Sequence, residues 1–343
     1  MRSFQFARAE DSKAAIQTYG RDTRSEDGAI NAPTQYLAGG TTLIDLMKLD
    51  VMRPARVIDI NNLQQSKFGQ IEFSEQGLRL GAMARMSQAA DHADVRKNFP
   101  VIAQALQLAA SQQIRNMAAL GGNVLQRTRC PYFRDTSYAN CNKRLPGSGC
   151  AALGGFNRSH AVLGTSEQCI ATYPGDFAQA LLALDAQVET DGPGGARKLP
   201  FANLHKPPGQ TPHIETALMP GELITGFAIP AAPWAKRSLY LKIRDRESYE
   251  FALASAAVAL DLDNGTVKQV RIALGGVATK PWRAGEAEAA LVGQPLDVPA
   301  IEAAADAAFA DALPREHNKF KIELGRRTLI RALHQAAALE IPT

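Results

Sequence analysis

All four cysteines of this 343-residue chain lie in one short stretch of the sequence. They are Cys130, Cys141, Cys150 and Cys169. Such clustering has four possible causes: two disulfides, a zinc site, an iron–sulfur cluster, or four unrelated structural roles. The first three require the stretch to fold so that sulfur atoms far apart in sequence meet in space.

The spacing of the cysteines bears on these alternatives. Structural zinc usually takes ligands in pairs roughly two to four residues apart, whereas the nearest two cysteines here, Cys141 and Cys150, are much farther apart. An iron–sulfur cubane suits thiolates spread along an irregular loop, where backbone amides also bond the sulfurs. Glycines suited to such a loop surround Cys150: Gly147, Gly149, Gly154 and Gly155. The pattern favours a cluster, and disulfides typical of exported proteins remain an alternative.

A second feature is a glycine turn near the N-terminus. A short apolar strand pattern runs into Gly39 and Gly40, and Thr41 or Thr42 can cap a helix that continues to about Lys48. A strand, a glycine turn and a helix N-terminus in this order leave backbone N–H groups facing an anion. An ordinary tight turn would explain the same residues.

Two further segments carry similar chemistry. In RNMAALGGN, Gly121 and Gly122 allow close approach of the backbone and Asn123 adds a side-chain amide. Asp176 precedes a helix with one apolar face, and a role as its N-cap would be sufficient.

Together these segments carry a family resemblance. LAGGTTLIDLMK (37–48), LGGN (120–123) and PGDFAQALLALDA (174–186) resemble, in order, three signatures of the FAD-binding medium subunit of the xanthine dehydrogenase/aldehyde oxidoreductase family. The cysteine-rich insertion is similar to that of the branch whose flavin subunit also holds a 4Fe-4S cluster, as in bacterial periplasmic aldehyde oxidoreductases. The resemblance covers essentially the whole chain.

The resemblance implies an α+β fold with two domains. Residues 1–230 would form a PCMH-type FAD-binding domain, with subdomains at about 1–62 and 63–230 and the iron–sulfur insertion at 124–169. Residues 231–343 would form a C-terminal α+β domain, in which a three-stranded antiparallel sheet packs against helices.

Local patterns predict several elements directly. Asp11 is typical of the N-cap of a short helix, and residues 21–34 are predicted to form a loop. In the last third, three strand patterns are followed by three helical stretches, and Asn264 with Gly265 predicts the hairpin turn between the second and third strands.

The resemblance also implies the site residues. Those expected to contact FAD are Ala38, Gly39, Gly40, Thr41, Thr42, Leu43, Ala118, Gly121, Gly122, Asn123, Gln126, Asp176 and Ile224. The expected ligands of the 4Fe-4S cluster are Cys130, Cys141, Cys150 and Cys169. No catalytic acid–base residue is expected in this chain. His160, His205 and His213 are assigned structural or surface roles, with His160 placed between two of the cysteines.

The implied function is electron transfer within a heterotrimeric molybdenum-dependent aldehyde oxidoreductase. A large partner would hold the molybdenum cofactor, a small partner would hold 2Fe-2S clusters, and an external acceptor would take electrons from the FAD. Two alternatives remain: a self-contained FAD-linked oxidase, and a metal- or disulfide-stapled nucleotide-binding module.

Bulk properties exclude some partners. Lys and Arg number 38 and Asp and Glu number 34, so the formal net charge of 38 − 34 = +4 is too small to indicate binding to nucleic acid or membrane. The N-terminal residues lack the apolar run of a secretory signal. We therefore expect either a cytoplasmic location or a periplasmic one reached by export together with a signal-bearing partner.

Overall fold

Three β-sheets organise the chain in the computed structural model, which describes residues 1–20 and 28–341. The first sheet is parallel and consists of β1 (Gln5–Arg8), β2 (Thr34–Leu37) and β3 (Arg56–Asp59), with β3 in the middle. Its helices are α1 (Ser12–Tyr19) and α2 (Leu43–Lys48). Residues 21–27 of the loop predicted at 21–34 lie outside the described residues.

The second sheet is antiparallel and has the strand order β4-β5-β8-β6-β7. Its strands are β4 (Ile71–Ser74), β5 (Gly77–Gly81), β6 (Gln187–Asp191), β7 (Arg197–Pro200) and β8 (Leu223–Pro230). The helices between β5 and β6 are α3 (Met86–Asp91), α4 (Ala93–Asn98), α5 (Pro100–Gln107), α6 (Gln112–Met117), α7 (Leu120–Val124), α8 (Pro131–Arg134) and α9 (Phe177–Ala183).

The third sheet has four antiparallel strands rather than the predicted three. They are β9 (Ser238–Ile243), β10 (Ala254–Asp263), β11 (Thr266–Gly275) and β12 (Trp282–Arg283). The added strand β12 is two residues long and pairs with β11, so it is too short to show an alternating pattern. The helices that follow are α10 (Gly285–Leu291), α11 (Val298–Ala308) and α12 (Phe320–Ala337).

The third sheet contributes to two hydrophobic cores. On β10, Ala257 and Ala259 face the core that the second sheet forms with its helices, while Val258 and Leu260 face the core formed with the C-terminal helices. This alternation follows from the period of two along a strand. The C-terminal region is therefore packed firmly on the preceding domain. In the described part of the chain, no helix has the length and apolar character needed to span a bilayer.

A buried ion pair joins the same two regions. The Nζ of Lys242 on β9 lies 2.7 Å from Asp176 at the start of α9, and the two side chains are 1% and 4% exposed. The hydroxyl of Tyr240 donates to the second oxygen of Asp176 at 2.7 Å. Breaking the pair would leave a buried charge without its partner, which is strongly unfavourable. The pair therefore stabilises the packing of the two regions against each other.

We expect Lys242→Met to lower the free energy of unfolding by about 3–5 kcal/mol, because the carboxylate of Asp176 would stay buried without its cation. Lys268→Met provides a matched control, since Lys268 pairs with Asp263 at 3.3 Å on the surface of the same sheet. That exposed pair is worth about 0–1 kcal/mol. Urea unfolding of both variants measures the difference. Equal losses of stability would contradict the assignment of Asp176 and Lys242 as a structural link.

Candidate functional site

The two glycine segments singled out in the sequence are in direct contact. A Cβ atom added at Gly39 would lie 1.9 Å from the carbonyl oxygen of Met117, so only glycine permits this approach of the two backbones. The next residue, Gly40, has φ of 75°, a value that glycine adopts without strain. The predicted turn between β2 and α2 is thus present. Thr42 stands at the N-cap position of α2, but its side chain makes no capping hydrogen bond.

The second glycine segment forms the single turn of α7. The space around its two glycines differs: a Cβ at Gly121 would lie 3.0 Å from the Cβ of Ala82, whereas a Cβ at Gly122 would meet no described atom within 4 Å. Asn123 follows, and its Nδ2 donates to Met86 Sδ at 3.3 Å. Its buried Oδ1 has no hydrogen-bond partner among the described residues. An open glycine and an unpaired buried oxygen next to it are features of a ligand-binding wall.

Two cavities lie on either side of the Gly39–Thr42 turn. The first has a volume of about 160 Å³ and is lined by six successive predicted residues together with Gly122. These six are Ala38, Gly39, Gly40, Thr41, Thr42 and Leu43. The second has a volume of about 420 Å³ and is lined by Thr41, Thr42 and a further predicted group. That group is Ala118, Asn123, Gln126 and Asp176.

Gly121 and Ile224 are the two predicted FAD-contact residues absent from the described walls of these cavities. Ile224 lies on β8, is 7% exposed and belongs to the main hydrophobic core. Gly121 faces Ala82 instead. Both residues pack against neighbouring protein atoms, and their contact with FAD stays a prediction.

Asp176 lines the second cavity but does not cap α9. Its side chain makes no cap hydrogen bond and is instead held by Lys242 and Tyr240. Asp176 does stand at the N-cap position of α9 as predicted, but two partners from the third sheet, and not a backbone N–H of the helix, bind its carboxylate oxygens. Its partners lie more than sixty positions later in the chain, beyond the range of any local pattern.

Charged and aromatic residues missed by the sequence analysis complete the second cavity. Asp45 on α2 accepts hydrogen bonds from Arg134 at 2.8 Å and Arg129 at 3.3 Å. Burial opposes ionisation, yet the bonds and charges of both arginines lower the pKa of Asp45. The guanidinium of Arg129 also lies over the ring of Phe251, 4.7 Å from its centroid. Both arginines are close to Cys130 in sequence. This proximity is the one sequence signal that indicates their position near a site.

The four cysteines come together in one small apolar cluster. Cys130, Cys141 and Cys169 are buried in it, Cys150 packs against it half-buried, and all four are free thiols. A backbone bridge joins Cys141 to Cys150. A hydrogen bond from the Cys169 thiol lowers the pKa of Cys150 to about 6. Within the described residues, no three His, Cys, Asp or Glu side chains converge closely enough for a single metal ion.

Other contacts hold the cysteine cluster in place. The Nε2 of the buried His160 lies 3.1 Å from Cys130 Sγ, so this histidine contacts one of the four cysteines. Leu46 of α2 belongs to the same apolar cluster. The helix that follows the glycine turn therefore packs directly on the cysteine-rich insertion.

A buried charge triad borders the cysteines. Glu215 accepts a hydrogen bond from Arg127 at 2.7 Å and another from Lys143 at 2.8 Å. The exposed fractions of these side chains are 12%, 3% and 11%. Two cations therefore share one carboxylate, and the Lys143 ammonium also interacts electrostatically with Cys169. The triad therefore carries one surplus positive charge, and its Lys143 lies close enough to Cys169 to interact with it.

Comparison with known proteins agrees with this arrangement. The model of the FAD binding domain in molybdopterin dehydrogenase matches residues 2–232, and that of the CO dehydrogenase flavoprotein C-terminal domain matches residues 239–336.

Individual relatives resemble nearly the whole chain. The aldehyde oxidoreductase FAD-binding subunit PaoB of Escherichia coli K12 is 48% identical over 94% of this chain and 98% of its own. The medium chain of carbon monoxide dehydrogenase from Hydrogenophaga pseudoflava is 26% identical over 91% of this chain and 92% of its own. A solved structure of that enzyme superposes with a TM-score of 0.74 over 98% of both chains. The chain therefore belongs to the family of FAD-binding medium subunits of molybdenum hydroxylases, which includes those of aldehyde oxidoreductases and CO dehydrogenases.

Proposed function

We propose that this chain is the electron-transfer flavin subunit of a heterotrimeric, molybdenum-dependent aldehyde oxidoreductase. It receives electrons from 2Fe-2S clusters of a small partner subunit and passes them to an external acceptor, while a large partner oxidises the aldehyde at the molybdenum cofactor. The observation that carries this proposal is the contact of the two glycine segments between two cavities, in a chain 48% identical to an aldehyde oxidoreductase FAD-binding subunit.

The residues of the two cavities fit FAD. Gly39 and Gly122 keep the backbone free of side chains at the wall, so that a pyrophosphate can approach the peptide N–H groups. Asn123 has an unpaired buried oxygen available to a ligand donor. Arg129 and Arg134 line the second cavity and offset negative charge there. When bound, FAD takes up electrons in pairs or singly.

We also propose that the four cysteines hold one 4Fe-4S cluster. The free thiols share one apolar environment, which argues against disulfides. An oxidised iron–sulfur core offsets only part of the charge of four thiolates, so the ligated cluster is a net anion. The surplus cation of the Arg127–Glu215–Lys143 triad beside Cys169 is the charge that such an anion requires.

The first test concerns FAD. A Cβ atom added at Gly122 would meet no described protein atom within 4 Å, and Gly122 lines the first cavity, so a Val side chain there would take up ligand space. We expect Gly122→Val to bind FAD at least about tenfold more weakly, a loss of about 1.4 kcal/mol, with the fold retained. The flavin absorbance per mole of protein after gel filtration measures this loss of FAD binding.

Gly285→Val is the matched control for this test, because a Cβ at Gly285 is equally free of contacts and the residue begins α10 in the C-terminal region. This control is expected to keep its flavin. Full flavin occupancy in Gly122→Val, or an equal loss in both variants, would refute the placement of FAD.

The second test concerns the cluster. Cys150→Ser replaces a thiolate ligand by a weak one, and we expect the iron content to fall from about four atoms per chain toward zero. The two glycine segments lie outside the insertion, so the flavin content should stay above half of the wild-type value. Iron and flavin are assayed on the same anaerobic preparation. Zinc in place of iron in the wild-type chain, or unchanged iron in the variant, would overturn the assignment.

A further inference from the structure

Lys321 on α12 is a buried cation whose role is not explained by the fold alone. Its side chain is fully buried, and its Nζ donates to the carbonyl oxygens of Ser159 and His160 at 3.2 Å each and to that of Gly276 at 2.5 Å. In the described part of the chain, no carboxylate forms an ion pair with Lys321. Because a buried lysine without a counter-charge tends to lose its proton, Lys321 keeps its positive charge only where an anion compensates it.

Two of the three carbonyls bound by Lys321, those of Ser159 and His160, belong to the segment that carries the His160 ring. Asn318, one turn earlier, donates to the carbonyl oxygen of Ala161 at 3.0 Å and so holds the same segment. The ring of His160 in turn contacts Cys130 Sγ at 3.1 Å. The beginning of α12 therefore fixes the backbone next to one of the four cysteines.

The charge of Arg158 does not compensate that of Lys321. Burial lowers the pKa of Lys321 to about 7, and the positive charge of Arg158 acts in the same direction. A neighbouring anion opposes both effects and favours the charged ammonium form. Arg158 itself pairs with Asp245 at 2.8 Å, so its own charge is already matched by a carboxylate. The negative group expected on the far side of His160 is the one formed by the four thiolates.

We propose that Lys321 is a positioning residue that raises the reduction potential of the 4Fe-4S cluster by placing a buried positive charge behind His160. The proposal rests on the cluster assignment made above. An external one-electron donor adds one negative charge to the site, and no bond forms or breaks in the protein. Lys321 stabilises that reduced state more than the oxidised state, because Coulomb attraction grows with the charge of the anion.

The test uses the isolated chain in four variants. Lys321→Met keeps the volume without the charge, Lys321→Gln keeps a hydrogen-bond donor without the charge, and Lys321→Arg keeps the charge. Lys319→Met is the control, since Lys319 is an exposed cation two positions earlier. The potential of each is measured by anaerobic redox titration followed by electron paramagnetic resonance, with dithionite as the reductant.

We expect both neutral Lys321 variants to have a more negative potential, with the reduced-to-oxidised ratio at a fixed potential lowered about tenfold, which is 59 mV for one electron. Lys321→Arg is expected to stay closer to the wild type than either neutral variant. Lys319→Met should not shift, because solvent screens its charge.

An unchanged potential in both neutral variants, or an equal shift in Lys319→Met, would overturn the role of Lys321. Loss of iron from both neutral variants would also overturn it and leave Lys321 with a purely structural role. Absence of an iron–sulfur signal from the wild-type chain would refute the cluster itself, so the two failures are distinguishable.

Discussion

The backbone contact between Gly39 and Met117 is the constraint on which the rest of the site depends. It brings the turn after β2 against the end of α6 at a distance that no side chain tolerates. The turn follows a strand of the small parallel sheet, α6 belongs to the helices between strands of the five-stranded sheet, and Thr41 and Thr42 of the turn line both cavities. Every other feature of the site is arranged around these two cavities.

The cysteine-rich insertion is held by that same arrangement. Leu46, on the helix that follows the glycine turn, packs into the apolar cluster of the four cysteines. From the other side, the peptide N–H of Val162 donates to the carbonyl oxygen of Val277 in the C-terminal region at 2.8 Å. A segment with little regular structure is costly to order, at roughly 1–2 kcal/mol per residue. Contacts on both sides offset part of that cost.

Buried charge distinguishes the two halves of the site. Around the second cavity, Asp45 neutralises part of the charge of Arg129 and Arg134. Around the cysteines, Lys143 shares its carboxylate with a second cation. An unbalanced buried cation is unfavourable by several kcal/mol. The surplus positive charge around the cysteines therefore favours an anionic group between the sulfur atoms.

Local signals were enough to predict much of this architecture. Asp11 accepts from the Ala14 N–H at 2.7 Å as an N-cap should, and Asn264 and Gly265 adopt the positive φ values of 48° and 82° that their hairpin turn requires. These features depend on neighbours a few residues apart. The ion pair of Asp176 with Lys242 was not predictable, because it joins two regions through tertiary contact alone.

The family resemblance went further than the local patterns. It brought the two glycine segments and the cysteines to one region, which periodicity cannot do because it reports only on local structure. The arginines at 129 and 134 were missed as cavity residues, since their common partner Asp45 is more than eighty positions away. Contacts of this kind are set by the packing of whole domains.

The most direct measurement of the central claim is the response of the flavin to an aldehyde under anaerobic conditions. The native complex and the isolated chain are each mixed with the aldehyde, and the blue absorbance band of FAD is followed by stopped-flow spectroscopy. The account predicts bleaching in the complex and none in the isolated chain, because the aldehyde reacts on a partner subunit and this chain only carries the electrons onward. Bleaching of the isolated chain by the aldehyde, or an unreactive flavin in an active complex, would contradict it.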